Sequence, residues 1–118
     1  MRTKLVKVEM IDLSVRLYVG SREEINKKLQ NERSGFKIGY GLTKRGNKKS
    51  KVSYEIFIAE DQKEHSVCSI LVHELSHVVS KALTGRGAED ESEFRAYLSG
   101  YLFEEFEKFL NKPEKKED

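Results

Sequence analysis

The chain has 118 residues, of which 36% are charged and 37% are apolar, and its net charge is +2. This length suits one domain with a single hydrophobic core. The small net charge gives no argument for a nucleic-acid or membrane partner, and a lone cysteine excludes an internal disulfide. Without an apolar signal region or a run of about 18 apolar residues, the sequence predicts a cytoplasmic protein with no membrane association.

The first quarter of the chain predicts strands followed by a short helix. Residues 5–10 and 13–19 alternate in the strand manner, either as one bent strand or as a tight hairpin around residues 11 and 12. Ser21 and Glu24 have the spacing of a capping box, which opens a helix to about Gln30. Ile25 and Leu29 are its expected inner residues.

A second pair of strands is predicted over residues 36–42 and 52–59. The segment 43–51 between them contains glycine, asparagine and five basic residues, and we interpret it as a solvated hairpin tip. Its basic side chains leave open a nucleic-acid binder, which we do not expect because no aromatic residue is interleaved for base stacking. A steep loss of affinity with salt would identify that alternative.

The last half of the chain predicts two helices. Asp61 and Glu64 repeat the capping-box spacing before a long apolar helix, which ends near the glycines at 85 and 87. The acidic cluster 89–93 opens a final helix to about Leu110, with five expected packing residues: Phe94, Leu98, Tyr101, Leu102 and Phe109. Residues 1–111 are therefore expected to form a single domain, and residues 112–118 a charged, flexible tail.

Within the long helix, His73, Glu74 and His77 spell H-E-x-x-H. Residues four apart lie on one helical face about one turn from each other, so the two imidazoles can bind the same Zn²⁺. Glu74 stands beside them as a general base for a metal-activated water. Cys68 lies on the other side of the helix and is expected in the core, not at the site.

A catalytic zinc site needs a third protein ligand. His65 lies two helical turns before His73, too far along a straight helix to share its metal. The glycine turn should bring the final helix back against the H-E-x-x-H helix, so Glu93 is the predicted third ligand and Glu91 the next candidate. The same face continues through Tyr97 to Gly100, where we expect the missing side chain to let the two helices approach closely.

The H-E-x-x-H helix followed by residues 93–98 resembles the minimal gluzincins, which are single-domain zinc metallopeptidases, and small phage-encoded H-E-x-x-H proteins. It is also similar to the catalytic core of the ImmA/IrrE family, although no helix-turn-helix segment is recognisable. The resemblance is specific over about residues 66–102. It implies a zincin-like α+β fold, in which a small twisted, mainly antiparallel sheet of three to four strands packs on the two helices.

The resemblance further implies that His73, His77 and Glu93 bind Zn²⁺ and that Glu74 is the general base and acid of peptide-bond hydrolysis. The strand at 52–59 would border the cleft and hold an extended peptide or protein substrate. We take Tyr97 as the candidate oxyanion donor, with Tyr54 and His65 as the other residues that could fill this role. The principal alternative is a non-catalytic, zinc-stabilised module that binds a regulatory or phage-related protein partner. The sequence is silent on cleavage specificity and on oligomeric state.

Overall fold

A computed structural model describes residues 1–84 and 92–112 of the chain. Its α-helices and strands, in chain order, are β1 (Arg2–Val8), β2 (Leu13–Gly20), α1 (Arg22–Asn31), β3 (Gly41–Arg45), β4 (Tyr54–Ala59), α2 (Val67–Thr84) and α3 (Ser92–Asn111). The predicted tail begins at residue 112, which is the last described residue, and residues 113–118 lie outside the described residues. Neither α1, α2 nor α3 is long and apolar enough to cross a bilayer.

The four strands form one sheet in the order β1-β2-β4-β3. The β1–β2 and β3–β4 pairs are antiparallel, and the central β2–β4 pair is parallel. The sheet is therefore mixed, and the predicted α+β class is confirmed. Between β2 and β4 the chain forms α1 and then the outer strand β3. It then returns to the centre of the sheet, where β4 runs parallel to β2.

Of the two possibilities for the N-terminal strands, the hairpin is confirmed. A short 3-10 turn (Glu9–Ile11) follows β1, and Asp12 then adopts the left-handed conformation, with φ of 51°, that reverses the chain. Aspartate tolerates this region better than most residues because its short side chain can bond locally. Val6 then pairs with Val15, so the alternating apolar residues of both strands face the same side.

The third strand differs from its prediction. Residues 36–40 are not in a strand, whereas Thr43, Lys44 and Arg45, assigned to the hairpin tip, are. The backbone N–H of Ile38 donates to Asn26 Oδ1 (2.8 Å), which holds the segment before the strand on α1. Lys44 is buried because its ammonium pairs with Glu55 on β4 at 2.7 Å, so a basic residue here does not mark a solvated loop.

The sheet has a core on each face. The larger one packs alternate residues of β1, β2 and β4 against α2 and α3, with Leu17, Ile56 and Leu71 fully buried. The smaller one lies under α1, where Ile25 and Leu29 are buried as predicted. The H-E-x-x-H helix packs on the first face only. The side of the sheet that α1 covers therefore has a separate molecular surface.

Helix α1 begins as predicted and α2 does not. Ser21 Oγ accepts from Glu24 N (3.1 Å) and the glutamate carboxylate accepts from Ser21 N, which completes the capping box. The predicted cap by Asp61 is wrong: its carboxylate accepts from Arg22 N at the start of α1 (2.9 Å). Helix α2 begins at Val67 instead, and Ser66 Oγ accepts from Ser69 N (3.1 Å) in the N-cap manner.

Helix α3 packs on both α2 and the sheet through one face. Leu98, Leu102 and Phe106 are buried in the larger core, and Phe94 and Phe109 pack against it. The prediction that Tyr101 packs in the core is wrong, since its side chain is 46% exposed. Phe106 is buried in the core instead. Among the described residues, the close approach expected at Gly100 is also absent, because a Cβ built there meets none of their atoms within 4 Å.

Candidate metal and hydrolytic site

The two histidines of the motif converge on one point in space. Their Nε2 atoms lie 3.2 Å apart, with the ring planes nearly perpendicular. Two nitrogens bound to one tetrahedral zinc at about 2.0–2.1 Å would lie about 3.3–3.4 Å apart, so this separation fits a shared metal ion. It also fits a hydrogen bond between two neutral imidazoles of suitable tautomers.

His73 and His77 stand on the exposed side of α2, whose opposite side is buried in the larger core. The helix is therefore amphipathic, with one apolar face against the sheet and its two imidazoles accessible to a ligand. The buried apolar residues of α2 hold the helix on the sheet, and the two imidazoles contact each other on its exposed face.

Glu74 points away from that exposed side, toward strand β3. It is 6% exposed, and its Oε1 accepts a hydrogen bond from Thr43 Oγ1 at 2.7 Å. The Thr43 hydroxyl lies 3.3 Å from the Glu74 carbonyl oxygen as well. A buried carboxylate needs such a donor to offset its lost hydration, so Thr43 holds Glu74 in one orientation.

A cleft separates the start of β3 from the first half of α2. Its volume is about 460 Å³, and its lining consists of Tyr40, Gly41, His65, Ser69, Ile70, His73 and Glu74. The first histidine and the glutamate of the motif therefore line the same open cleft, and His77 adjoins it through its contact with His73. A cleft lined by convergent polar side chains of this kind is where a small ligand or an extended segment can bind.

The strand that borders this cleft is β3, not the expected strand over residues 52–59. β4 (Tyr54–Ala59) is paired on both sides and cannot add another strand. β3 forms the edge of the sheet, and its Gly41 approaches α2 so closely that a Cβ there would lie 2.5 Å from Ile70 Cγ2. Among the described residues, β3 therefore presents the free strand edge beside the cleft.

Sequence analysis did not single out Tyr40, Gly41 or Thr43. The basic run that begins at Lys44 hid the period-two alternation of this short strand. A continuous helix would carry His65 too far from His73 to share the site, but α2 begins only at Val67, so His65 lies before the helix. The Gln62 side chain bonds both the N–H and the carbonyl of His65, and the His65 ring makes an edge contact with Tyr40, with centroids 4.6 Å apart.

The third zinc ligand stays a prediction. Within residues 1–84 and 92–112, no group of three His, Cys, Asp or Glu side chains is placed to hold a metal ion. Glu93 lies exposed in the first turn of α3. The other acidic candidates, Glu89, Asp90 and Glu91, lie outside the described residues.

Tyr97, the predicted oxyanion donor, is 72% exposed and is not among the residues that line the cleft. Its proposed role is therefore a prediction without a structural contact. Cys68 is half-buried and free. Among the tyrosines described, Tyr40 is the one that lines the cleft.

Comparisons of the chain with models of protein families, with curated proteins and with solved structures give no match.

Proposed function

We propose that this protein is a zinc-dependent peptidase of minimal gluzincin type with a zincin-like architecture. The observation that carries the proposal is the pair of Nε2 atoms of His73 and His77, 3.2 Å apart, with Glu74 in the wall of the adjoining cleft. The chemistry of the donor set supports zinc, since imidazole nitrogen is among its preferred ligands.

His73 and His77 would hold the metal together with Glu93, or with Glu91 as the alternative carboxylate. When bound, Zn²⁺ supplies a Lewis acid that polarises a carbonyl group and lowers the pKa of water. Helices α2 and α3, which carry the two histidines and Glu93, pack against each other in the larger core, and this packing would give these three donors a common support.

Glu74 would accept a proton from water and return it to the departing amine. Its Oε1 is oriented by the Thr43 hydroxyl, and the side chain lines the cleft beside His73. An extended peptide would lie along the free edge of β3 and expose one carbonyl to this region. Tyr97 is retained as the proposed oxyanion donor, and the cleft-lining Tyr40 is the second candidate.

The test compares four proteins: wild type, Glu74→Gln, His77→Ala and the matched control His65→Ala. We expect the wild type to bind one zinc and to cleave an unfolded protein substrate. Glu74→Gln should keep the zinc and lose about 10²- to 10⁴-fold in rate, the usual contribution of a general base. His77→Ala should lose both, and His65→Ala should keep the zinc.

Zinc content is measured by elemental analysis after titration, and cleavage by mass spectrometry of the products. A wild-type protein that binds no zinc would overturn the proposal, and so would a Glu74→Gln protein that cleaves at the wild-type rate. Glu93→Gln and Glu91→Gln, compared for zinc affinity, identify the third ligand.

One observation favours the alternative, a zinc-stabilised module that binds a protein partner without cutting it. Glu74 is buried and already has a hydrogen-bond donor in Thr43, as a structural carboxylate would. A wild-type protein that binds zinc, gains thermal stability from it and cleaves none of the substrates would support this second function.

A further inference from the structure

A groove on the α1 side of the sheet, opposite to the H-E-x-x-H helix, is lined by basic residues. Its volume is about 1070 Å³, and it lies between the end of α1, strand β2 and the turn that joins β3 to β4. Its cationic residues are Arg16, Lys28, Arg33, Lys48 and Lys49. We propose that this groove binds the phosphate backbone of a double-stranded nucleic acid.

The acidic residues of the groove do not cancel this charge. Glu32 pairs with Lys28 at 2.9 Å, and its other oxygen is buried away from a ligand. Glu55 is 1% exposed and pairs with Lys44 beneath the groove at 2.7 Å. Each carboxylate is therefore matched by one lysine, which leaves the remaining cations to act on a ligand.

Four of these cations, namely Arg16, Arg33, Lys48 and Lys49, have no ion-pair partner among the described residues. They come from three separate segments that only the fold brings to one groove. Of the five basic residues in the predicted hairpin tip, Lys48 and Lys49 are the two that line this groove, so the tip alone does not account for its charge. The two arginines add planar guanidinium groups, which suit bidentate contacts with phosphate oxygens.

The groove favours a duplex backbone over single-stranded bases. Tyr18, the aromatic residue in its lining, is 8% exposed, stacks on Phe57 at 4.7 Å, and has the Lys28 ammonium 5.0 Å from its ring centroid. The described lining of this groove therefore offers no open ring face on which a base could stack, and stacking is the usual means of binding single strands. Duplex DNA instead offers one negative charge per about 1.7 Å of helix axis to a row of cations.

The test measures binding of a fluorescent DNA duplex of about 20 base pairs by anisotropy, between about 50 and 200 mM salt. Each phosphate contact contributes about −0.9 to the slope of log affinity against log salt, so four contacts predict about −3.6. In the Lys48→Gln/Lys49→Gln protein, the slope should fall in magnitude by about 1.8 and the affinity by about 60-fold at about 0.1 M salt. Both side chains are exposed in a turn, so the variant should fold normally.

The matched control is Lys4→Gln/Lys63→Gln, which removes the same charge from exposed positions outside the groove and should change affinity by less than about twofold. Absence of binding at low salt would overturn the proposal. An equal loss in the control variant would also overturn it, because the attraction would then be unspecific. If a polyglutamate chain of equal charge competes as well as the DNA, the groove is a site for acidic protein segments and not for nucleic acid.

Discussion

At the scale of single residues, Gly41 sets the distance between the edge strand and the H-E-x-x-H helix. A Cβ at this position would lie 2.5 Å from Ile70 Cγ2 and 3.1 Å from Glu74 Oε2. Only a residue without a side chain lets β3 come near enough for the Thr43 hydroxyl to reach the Glu74 carboxylate. The orientation of the proposed general base thus depends on the absence of one methyl group.

We therefore expect Gly41→Ala to lower the free energy of unfolding by about 1–3 kcal/mol, the usual cost of overpacking. It should also weaken any hydrolysis, because Ile70 and Glu74 must shift. The matched control is Gly39→Ala, since a Cβ at Gly39 meets no atom within 4 Å. Urea denaturation measures both variants, and equal midpoints for the two would contradict the close approach.

At the scale of whole elements, features that depend on residues close in sequence could be predicted, whereas features that depend on residues far apart in sequence could not. The capping box of α1 could be predicted because both of its partners, Ser21 and Glu24, lie within one helical turn. The convergence of His73 and His77 was predictable for the same reason, as it needs only helical periodicity.

Strand β3 was mispredicted because its pattern depends on a distant partner. Lys44 is compatible with a buried strand only when Glu55 stands opposite, and no local pattern shows that pairing. The cap of α2 failed similarly, since Asp61 has an acceptable capping spacing but bonds to Arg22 on another helix. The cleft residues Tyr40 and Thr43 depend on the misplaced strand, and so they were missed.

The start of α2 offers a local test of this revised cap. We expect Ser66→Ala to cost about 1 kcal/mol in the free energy of unfolding, since it removes the acceptor for Ser69 N. Hydrogen exchange of the Ser69 amide should accelerate in this variant. Asp61→Ala should instead accelerate exchange of the Arg22 amide and leave Ser69 unchanged. Faster exchange of the Glu64 amide in Asp61→Ala would instead support the cap first predicted, in which Asp61 accepts from Glu64 N.

At the scale of the whole molecule, the sheet separates two chemically different surfaces. The larger core carries α2 and α3 with the proposed zinc site, and the smaller core carries α1 and the basic groove. Beneath the groove, Tyr18 donates to Glu55 Oε2 at 2.9 Å while Lys44 pairs with Oε1. The phenol thus satisfies one carboxylate oxygen by a hydrogen bond, and the ammonium balances the buried charge at the other as an ion pair.

This network makes stability sensitive to alkaline pH. Burial, and then the neighbouring Glu55 carboxylate, raise the pKa of Tyr18 above its ordinary value of 10.0. The stabilisation is therefore fully present below about pH 10 and is lost as the pH rises further, because the unfolded chain releases this proton first. A tyrosine with a raised pKa makes the free energy of unfolding fall with pH by up to about 1.4 kcal/mol more per pH unit.

We expect Tyr18→Phe to flatten the fall in unfolding free energy between about pH 9 and pH 11, although it lowers stability at neutral pH by removing a donor to Glu55. The control is Tyr101→Phe, at an exposed position on α3, which should keep the wild-type slope. Denaturation curves at several pH values measure all three proteins. An unchanged slope in Tyr18→Phe would show that this phenol does not govern the alkaline transition.

The ion pair between Lys44 and Glu55 also acts as an alignment device for the opposite side of the sheet. The two residues are direct register partners on β3 and β4, and Thr43 is the neighbour of Lys44 that faces α2. A slip of β3 by one residue would turn the lysine toward the apolar core and leave the buried glutamate without its partner. The same slip would remove the threonine hydroxyl from Glu74. A charge pair under one face of the sheet therefore selects the residue that meets the proposed general base on the other.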